Sequence, residues 1–248
     1  MNKKAIGIIP ARYGSTRLEG KPLKDICGKP MIQHVYERAS KASSLQQVFI
    51  ATDDIRIMDA VKAFGGQAVM TSPNHNTGTD RIAEVAKDMD VDIVVNIQGD
   101  EPLILPEIID EITTELIADN NVVMTTGCCI ITDKEMYTDP NVVKVVFDKN
   151  NYALYFSRSL IPYPRKTGCS EAYEHIGIYA YRKDFLMKYI SIDGTPLSLT
   201  ESLEQLKVLE LGYKIKVVNT KFPYNALSVD TIDDLVKVRR IMEETMNK

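Results

Sequence analysis

Apolar runs of strand length alternate with stretches of helical period through the first half of the chain. This alternation is typical of βαβ units, in which helices connect the strands of a mostly parallel sheet. The predicted strands are residues 5–10, 47–52, 67–70, 92–98 and 122–131. The predicted helices between them are residues 30–42, 55–64, 79–88 and 105–118. The pattern therefore predicts an α/β fold with a doubly wound, Rossmann-like sheet.

The pattern changes after about residue 131. Shorter extended runs at residues 142–147, 152–156 and 175–181 predict an antiparallel or mixed insertion, and residues 159–173, with two prolines and Gly168, predict a loop. A helix at residues 203–211, a strand at 214–219 and a closing helix at 232–246 return to the core. We expect a single domain over 1–248, with residues 1–131 and 203–248 as its core and residues 132–202 as a subdomain.

Composition excludes several classes of protein. The 248 residues are 44% hydrophobic and carry a formal net charge of −4, with no basic tail, which argues against general binding of nucleic acid or membrane surfaces. No apolar run reaches the length of a membrane span or a signal peptide, which predicts a cytoplasmic protein. The cysteines form no CxxC or Cys/His motif, so we interpret them as reduced thiols: Cys27, Cys128, Cys129 and Cys169.

The stretch IIPARYGSTRLEGKPL, residues 8–23, places a cationic loop directly after the first strand. It is not a P-loop, because five residues separate Gly14 from Gly20 and Pro22 replaces the metal-binding hydroxyl. It also lacks the glycine fingerprint of a dinucleotide site, which disfavours a nicotinamide dehydrogenase. Residues 11–29 hold five cations, Arg12, Arg17, Lys21, Lys24 and Lys29, against two acids. This balance suits a polyphosphate, and a merely solvated loop is the alternative.

A second stretch, VVNIQGDEPLI, ends a fully apolar strand with Gln98, Gly99, Asp100 and Glu101. Glycine permits a close backbone approach, and the position just past a strand favours a ligand or metal site. A turn or helix cap is the alternative interpretation of the acidic pair. Together with the cationic loop, a carboxylate that holds Mg²⁺ here would indicate phosphoryl or nucleotidyl chemistry.

Seven blocks of the sequence resemble, in order, the 3-deoxy-manno-octulosonate (Kdo) cytidylyltransferases, also called CMP-Kdo synthetases. They cover nearly the whole chain: IPARYGSTRLEGKPLKDICGKPMIQHVYERA, GTDRIAEV, NIQGDEPLI, NVVKVVFDKNNYALYFSRSLIPYPR, EHIGIYAYR, ESLEQLKVLE and VDTIDDLVKVR. The resemblance implies a Mg²⁺-dependent homodimer with a nucleotidyltransferase core. It further implies transfer of CMP from CTP to the anomeric hydroxyl of Kdo, with release of pyrophosphate, for lipopolysaccharide or capsule synthesis.

The resemblance also implies roles for individual residues. Lys21, Asp100 and Asp230 would be catalytic, and the two aspartates would bind magnesium. The nucleotide would contact Pro10, Ala11, Arg12, Arg17, Lys21, Arg81, Gln98 and Gly99. The sugar acid would contact Gln98, Arg158, Arg165, His175, Tyr179, Glu204 and Gln205, while residues 132–202 would form the sugar-binding and dimerisation subdomain. Without the resemblance, Arg81 would be interpreted as a surface residue, His175 as structural and Asp230 as a helix cap; His34 and His75 are assigned no catalytic role.

The chain departs from the family pattern at several positions. Gly14 and Glu19 replace a common alanine and proline, and Leu227 and Ser228 precede the VDT block in place of the usual glycine. The second departure bears directly on where Asp230 lies. The residues leave open the activation of a related acid, 8-amino-Kdo or a nonulosonic (sialic) acid. They also leave open a non-catalytic nucleotide-binding protein on the same fold.

Overall fold

The structure is a computed structural model that describes residues 3–14, 17–166, 171–224 and 227–246. The chain forms two units, residues 1–110 with 224–248, and residues 111–223. The predicted subdomain at 132–202 lies within the second unit, which extends further at both ends. The functions predicted for the two segments stay predictions.

Strands and helices of the described residues are numbered in chain order. The strands are β1 Ala5–Ala11, β2 Asp25–Ile26, β3 Lys29–Pro30, β4 Gln47–Thr52, β5 Ala68–Met70, β6 Ile93–Asn96, β7 Met124–Ile130, β8 Lys144–Phe147, β9 Ala153–Ser157, β10 Tyr173–Arg182 and β11 Ile215–Asn219. The α-helices are α1 Met31–Ala39, α2 Ile55–Ala63, α3 Gly78–Ala86, α4 Pro106–Ala118, α5 Lys183–Tyr189, α6 Pro196–Glu201, α7 Gln205–Glu210 and α8 Ile232–Met246.

The first unit is organised by four parallel strands in the order β6–β1–β4–β5. Strand β1 is central and its apolar side chains are buried, as expected for a strand covered on both faces. Its register pairs Ala11 with Thr52 of β4 and Ile8 with Asn96 of β6. Because the strands are parallel, the segments that follow Ala11, Thr52 and Asn96 leave the sheet at one edge, where ligands bind in open α/β sheets.

A second group of buried residues in this unit packs around helix α8. It joins Leu18 of the cationic loop, Ile26 of the β2–β3 hairpin and Met31 of α1 to apolar residues of the last segment, Val229, Leu235, Val238 and Met242. Burial of these side chains stabilises the contact between segments that are about 200 residues apart in sequence. The closing helix therefore brings the chain back beside the cationic loop.

The second unit is a mixed sheet. Strand β7 pairs in parallel with β11 and antiparallel with β10, while β8 pairs antiparallel with both β10 and β9. The β7–β10 register shifts between Ile176 and Tyr179, so β10 carries a bulge at that point. Within the described ranges, none of the helices of the chain combines the length and the hydrophobicity that a membrane span requires.

The predicted fold class is confirmed, because α-helices alternate with a mostly parallel sheet and antiparallel strands follow in the second half. Each predicted helix and strand has a counterpart whose ends differ by at most three residues. The sequence patterns missed the β2–β3 hairpin and helices α5 and α6. The two strands of the hairpin have two residues each, and α5 and α6 have seven and six, so little of a hydrophobic period shows.

The described cysteines are free thiols, as predicted: Cys27, Cys128 and Cys129. Burial raises the pKa of the Cys128 thiol far above its usual range, and burial together with Glu174 raises the pKa of Cys129 to about 12. Both thiols therefore stay protonated at neutral pH and are poor nucleophiles. Cys169 lies outside the described residues.

Candidate functional site

One cavity of about 270 Å³ lies in the first unit and admits a group larger than a single ion. It is lined by every residue that was predicted to bind nucleotide or metal: Pro10, Ala11, Arg12, Arg17, Lys21, Arg81, Gln98, Gly99, Asp100 and Asp230. The structure thus brings together residues from four separate stretches of the sequence. Their individual roles stay predictions.

The floor of the cavity is formed where β1 and β6 end. Gly99 approaches β1 so closely that a Cβ atom there would lie 2.8 Å from the carbonyl oxygen of Pro10. Only glycine permits this approach, in agreement with the predicted reason for its presence. The two acidic residues that follow have different surroundings. Asp100 lines the cavity, whereas Glu101 is buried and accepts a hydrogen bond from the Tyr224 hydroxyl at 3.3 Å.

Lys21 lies between the two predicted metal ligands. Its Nζ atom donates to Asp100 Oδ2 at 2.7 Å and to Asp230 Oδ1 at 3.1 Å, and its side chain is only 15% exposed. The guanidinium of Arg17 contacts the same oxygen of Asp230 at 3.0 Å. Two carboxylates and two cations therefore meet within hydrogen-bonding distance at the cavity wall, although 209 positions separate Lys21 from Asp230.

The placement of Asp230 follows from its neighbours. The Val229 amide donates to the carbonyl oxygen of Asp100 at 2.9 Å, and the Val229 side chain is fully buried. Leu227, one of the departures from the family pattern, packs against the same buried group around α8. Residues 225 and 226 lie outside the described ranges, but the segment from Leu227 onward holds Asp230 opposite Lys21.

Helix α8 is capped by a residue other than Asp230. The Thr231 hydroxyl accepts from the Asp234 amide at 3.2 Å, and Asp234 accepts in return from the Thr231 amide at 2.9 Å. This reciprocal pair is a capping box. The alternative interpretation of Asp230 as the helix cap is therefore wrong, and its carboxylate faces Lys21 and Arg17 instead.

The donor set of this site fits magnesium. Mg²⁺ is commonly bound by one or two protein carboxylates, with water and phosphate oxygens completing the octahedron. Asp100 and Asp230 present two carboxylate oxygens to one nitrogen, so a single cation can contact both. Over the described part of the chain, no three His, Cys, Asp or Glu side chains group closely enough to form an all-protein metal site. A metal that relies on phosphate ligands agrees with both observations.

Arg81 is a buried residue of helix α3, not the surface arginine that its helical position alone would predict. Its side chain is 4% exposed, and its guanidinium pairs with Asp53 Oδ2 at 2.7 Å and donates to the Thr71 hydroxyl. Asp53 follows strand β4, so this ion pair joins the ends of two elements at the cavity edge. Arg81 is thereby fixed in orientation where it lines the cavity.

Further residues line the cavity without having been predicted: Pro22, His75, Asn76, Thr77 and Gly78. Four of them precede or begin helix α3, whose first turn is fixed by a capping box between Thr77 and Asp80. The T-x-x-D spacing was a usable signal for a helix start, and helix starts favour anions. His75 pairs with Glu84 of the same helix, whereas His34 donates to the Ile26 carbonyl oxygen at 2.8 Å.

The residues predicted to bind the sugar acid, apart from Gln98, lie in the second unit. Arg158 follows β9 and its guanidinium donates to carbonyl oxygens, at 2.8 Å to Glu201 and at 3.0 Å to Pro140. The Glu201 carboxylate also accepts from the Arg158 amide at 3.0 Å. These bonds orient the arginine but leave part of its five-donor fork for another partner. Arg165 is exposed.

His175 and Tyr179 lie on either side of the β10 bulge. The His175 ring is buried, and a hydrogen bond of 2.9 Å joins its Nε2 atom to the Thr126 hydroxyl. Burial lowers the pKa of His175 to about 3, so the imidazole is neutral at physiological pH. The ring of Tyr179 lies 5.5 Å from that of His175. These contacts agree with a structural histidine, and its predicted contact with the sugar stays a prediction.

Glu204 and Gln205 differ in their surroundings. Glu204 is exposed, whereas Gln205 is 3% exposed and its Nε2 atom has no hydrogen-bond partner among the described residues. A buried amide donor without a partner is costly, so a ligand oxygen would stabilise it. This observation agrees with a polar ligand near Gln205.

Comparison with known proteins identifies the family. A cytidylyltransferase family model matches residues 6–215. The chain is 53% identical to a 3-deoxy-manno-octulosonate cytidylyltransferase of Geotalea uraniireducens, with 95% of this chain and 97% of that protein covered. It is 52% identical to the same enzyme of Fusobacterium nucleatum, with 97% and 98% covered.

Solved structures agree with this result. The structure of CMP:2-keto-3-deoxy-manno-octonic acid synthetase complexed with CTP matches with a TM-score of 0.93 and 45% identity over 98% of this chain and 99% of that chain. A 4-diphosphocytidyl-2C-methyl-D-erythritol synthase from Anaerococcus prevotii shares the fold, with a TM-score of 0.65 and 14% identity over 98% of this chain and 97% of the other. The chain belongs to the 3-deoxy-manno-octulosonate cytidylyltransferase family.

Proposed function

We propose that this protein transfers CMP from CTP to the anomeric hydroxyl of Kdo and releases pyrophosphate. Family membership supports the substrates, and one structural observation supports the chemistry. Lys21 contacts both Asp100 and Asp230 in a cavity that Arg12 and Arg17 also line. Cations for a triphosphate and carboxylates for a divalent ion are thus present at the same site.

The triphosphate is bound by Arg12, Arg17 and Lys21, with Arg81 as a further contact. Arg81 is held by Asp53, so its position is fixed before the nucleotide arrives. Lys21 is held at the cavity wall by Asp100 and Asp230 as long as no divalent ion competes for these carboxylates. Preorganised charges of this kind stabilise negative charge that develops during the reaction without having to reorient. The cations therefore offset charge on the departing pyrophosphate.

Asp100 and Asp230 would hold Mg²⁺ in the working enzyme. When bound, the ion would neutralise phosphate charge and act as a Lewis acid. The protein itself contributes position: Gly99 brings the loop after β6 against Pro10, and the bond from Val229 to Asp100 keeps the two aspartates together. The sugar hydroxyl then attacks the α-phosphorus in line, a reaction for which positioning supplies much of the acceleration.

Residues of the second unit bind the sugar acid. Arg158 and Arg165 pair with its carboxylate, for which a guanidinium has matching two-point geometry. The other contacts come from His175, Tyr179, Glu204 and Gln205. The amide nitrogen of Gln205, which is buried and has no hydrogen-bond partner in the described part of the chain, supports this assignment. We further propose that the protein works as a homodimer in the cytoplasm, where CTP is available, and that its product serves lipopolysaccharide or capsule synthesis.

Pyrophosphate release across a matrix of substrates tests the proposal. The four common nucleoside triphosphates are each combined with Kdo, 8-amino-Kdo and a nonulosonic acid, with and without Mg²⁺. We expect release only with CTP and Kdo in the presence of Mg²⁺. Faster pyrophosphate release with another acid would show that this acid, and not Kdo, is the preferred substrate. Binding of CTP without any release of pyrophosphate would favour a non-catalytic nucleotide-binding protein.

A further inference from the structure

The cationic loop is closed at its base by a contact between Tyr13 and Gly20. The Gly20 amide donates to the Tyr13 carbonyl oxygen at 3.1 Å. Gly20 has a φ angle of +64°, and a Cβ atom there would lie 3.1 Å from the Tyr13 ring. The aromatic ring thus lies against the bare Cα of Gly20. Arg17 lies between Tyr13 and Gly20 in the sequence, and Lys21 is the residue after Gly20.

Arg56, a residue of helix α2, covers the Tyr13 ring. Its guanidinium carbon lies 3.3 Å from the ring centroid, within the range of a cation–π contact. The orientation of the guanidinium is fixed by Asp54, which accepts from Nε at 2.9 Å and from Nη2 at 2.6 Å. Asp54 is itself fixed as the cap of α2, since it accepts from the Arg56 amide at 2.9 Å. The capped first turn of α2 therefore holds the planar guanidinium of Arg56 against Tyr13 at the base of the loop.

The charges around Arg56 fit this arrangement. Its hydrogen bonds to Asp54 raise the pKa of Arg56, and the negative charge of Glu19 adds to the effect. Glu19 lies within the loop, at a position where the chain departs from the family pattern. Among the described residues, Arg56 is not one of those that line the cavity, so an effect of Arg56 on a ligand there would pass through the loop.

We propose that Arg56 is a positioning residue of the nucleotide site: by stacking on Tyr13 it holds the base of the loop, and thereby the places of Arg17 and Lys21. This inference rests on the proposed function, in which those two cations bind the triphosphate. It predicts that loss of Arg56 weakens the contacts with the β- and γ-phosphates. The contacts with the cytosine and the α-phosphate should change little.

Calorimetric titration with CTP and with CMP tests this inference. We expect Arg56→Ala to raise the dissociation constant of CTP about threefold relative to that of CMP, the size of an exposed cation–π contact. Arg56→Lys should show a smaller rise, because an ammonium keeps the charge but loses the two-point pairing with Asp54. The control is Arg240→Ala, which removes another exposed arginine that pairs with a carboxylate, Glu244, and should leave both constants unchanged.

A double-mutant cycle provides the second measurement. If Arg56 acts through the ring, adding Arg56→Ala to Tyr13→Ala should cost no further CTP affinity, because the two residues act as one unit. An equal loss of CTP and CMP affinity in Arg56→Ala, no loss of either, or additive losses in the double variant would each overturn the inference. Wild-type protein that binds no CTP would instead contradict the proposed function itself.

Discussion

Replacing Lys21 with methionine removes the ammonium that contacts both Asp100 and Asp230, while it keeps most of the length of the side chain. The lost contacts are hydrogen bonds to charged groups at 2.7 and 3.1 Å. At these distances the two attractions are about 6 and about 5 kcal/mol at an effective dielectric constant near 20, but desolvation offsets most of them. Hydrogen bonds to charged groups contribute about 1.5–3 kcal/mol net. We therefore expect the free energy of unfolding to fall by about 2 kcal/mol.

The same substitution should affect catalysis more than folding. Loss of one preorganised charge at the leaving group costs about 3 kcal/mol of transition-state stabilisation, or roughly a hundredfold in kcat/KM for CTP. The assay is steady-state pyrophosphate release with CTP varied at saturating Kdo and Mg²⁺. Mg²⁺ should also stabilise nucleotide-free Lys21→Met against heat more than it stabilises the wild type, because no ammonium competes for the two carboxylates.

Lys24→Met is the matched control, because Lys24 lies in the same loop but outside the cavity lining. We expect its kcat/KM to stay within about twofold of the wild type, as for most surface substitutions. Turnover near the wild-type value in Lys21→Met would refute the assignment of Lys21 to the leaving group. Equal losses in both variants would show that only the net charge of the loop matters.

Three further predictions concern Gly99, the aspartate pair and His175. Gly99→Ala places a Cβ atom 2.8 Å from the Pro10 carbonyl oxygen, so the free energy of unfolding, measured by chemical denaturation, should fall by about 1–3 kcal/mol. CTP should also bind much more weakly. An unchanged affinity for CTP would contradict the close approach. Asp100→Asn and Asp230→Asn should each abolish most turnover, and the double variant should lose little more than the worse single one in the same assay; fully additive losses would argue against a shared magnesium site. Because the pKa of His175 is lowered to about 3 from 6.5, the unfolded chain binds a proton below pH 6.5 that the folded protein does not. The free energy of unfolding should therefore fall as the pH decreases from about 6.5 toward 3, by up to about 1.4 kcal/mol per pH unit. Urea unfolding of His175→Gln should lack this part of the dependence on pH. The same dependence in His175→Gln and the wild type would show that His175 is protonated in the folded protein.

Local patterns were sufficient to predict the parallel strands and the loops that follow them. Strand β1 has a continuous apolar run, and Gly99 followed by Asp100 marks the end of β6, so both sides of the cavity floor were visible in the sequence. The short helices α5 and α6, of seven and six residues, were not predicted, although α7, which also has six residues, was. Their existence depends on packing against neighbouring elements.

Contacts between distant segments were beyond local patterns. Nothing near Asp230 in the sequence shows that the Val229 amide bonds to Asp100. The T-x-x-D spacing of Thr231 and Asp234, by contrast, was a usable signal for the cap of α8, as it was for α3. The family resemblance supplied the assignment of Asp230, which stays a prediction, and the structure shows the contacts that place its carboxylate beside Lys21 and Arg17. His75 was missed because a lone histidine before a helix carries no distinctive pattern, and only its position places it at the cavity wall.

Label transfer from CTP tests the central claim most directly. The enzyme is incubated with Kdo, Mg²⁺ and CTP that carries ³²P at either the α- or the γ-position, and the sugar nucleotide is separated from pyrophosphate. We expect the α-label in the sugar nucleotide and the γ-label in pyrophosphate, with both reactions lost in Asp100→Asn. Appearance of the γ-label in the sugar product, or of no label in any sugar product, would contradict nucleotidyl transfer at this site.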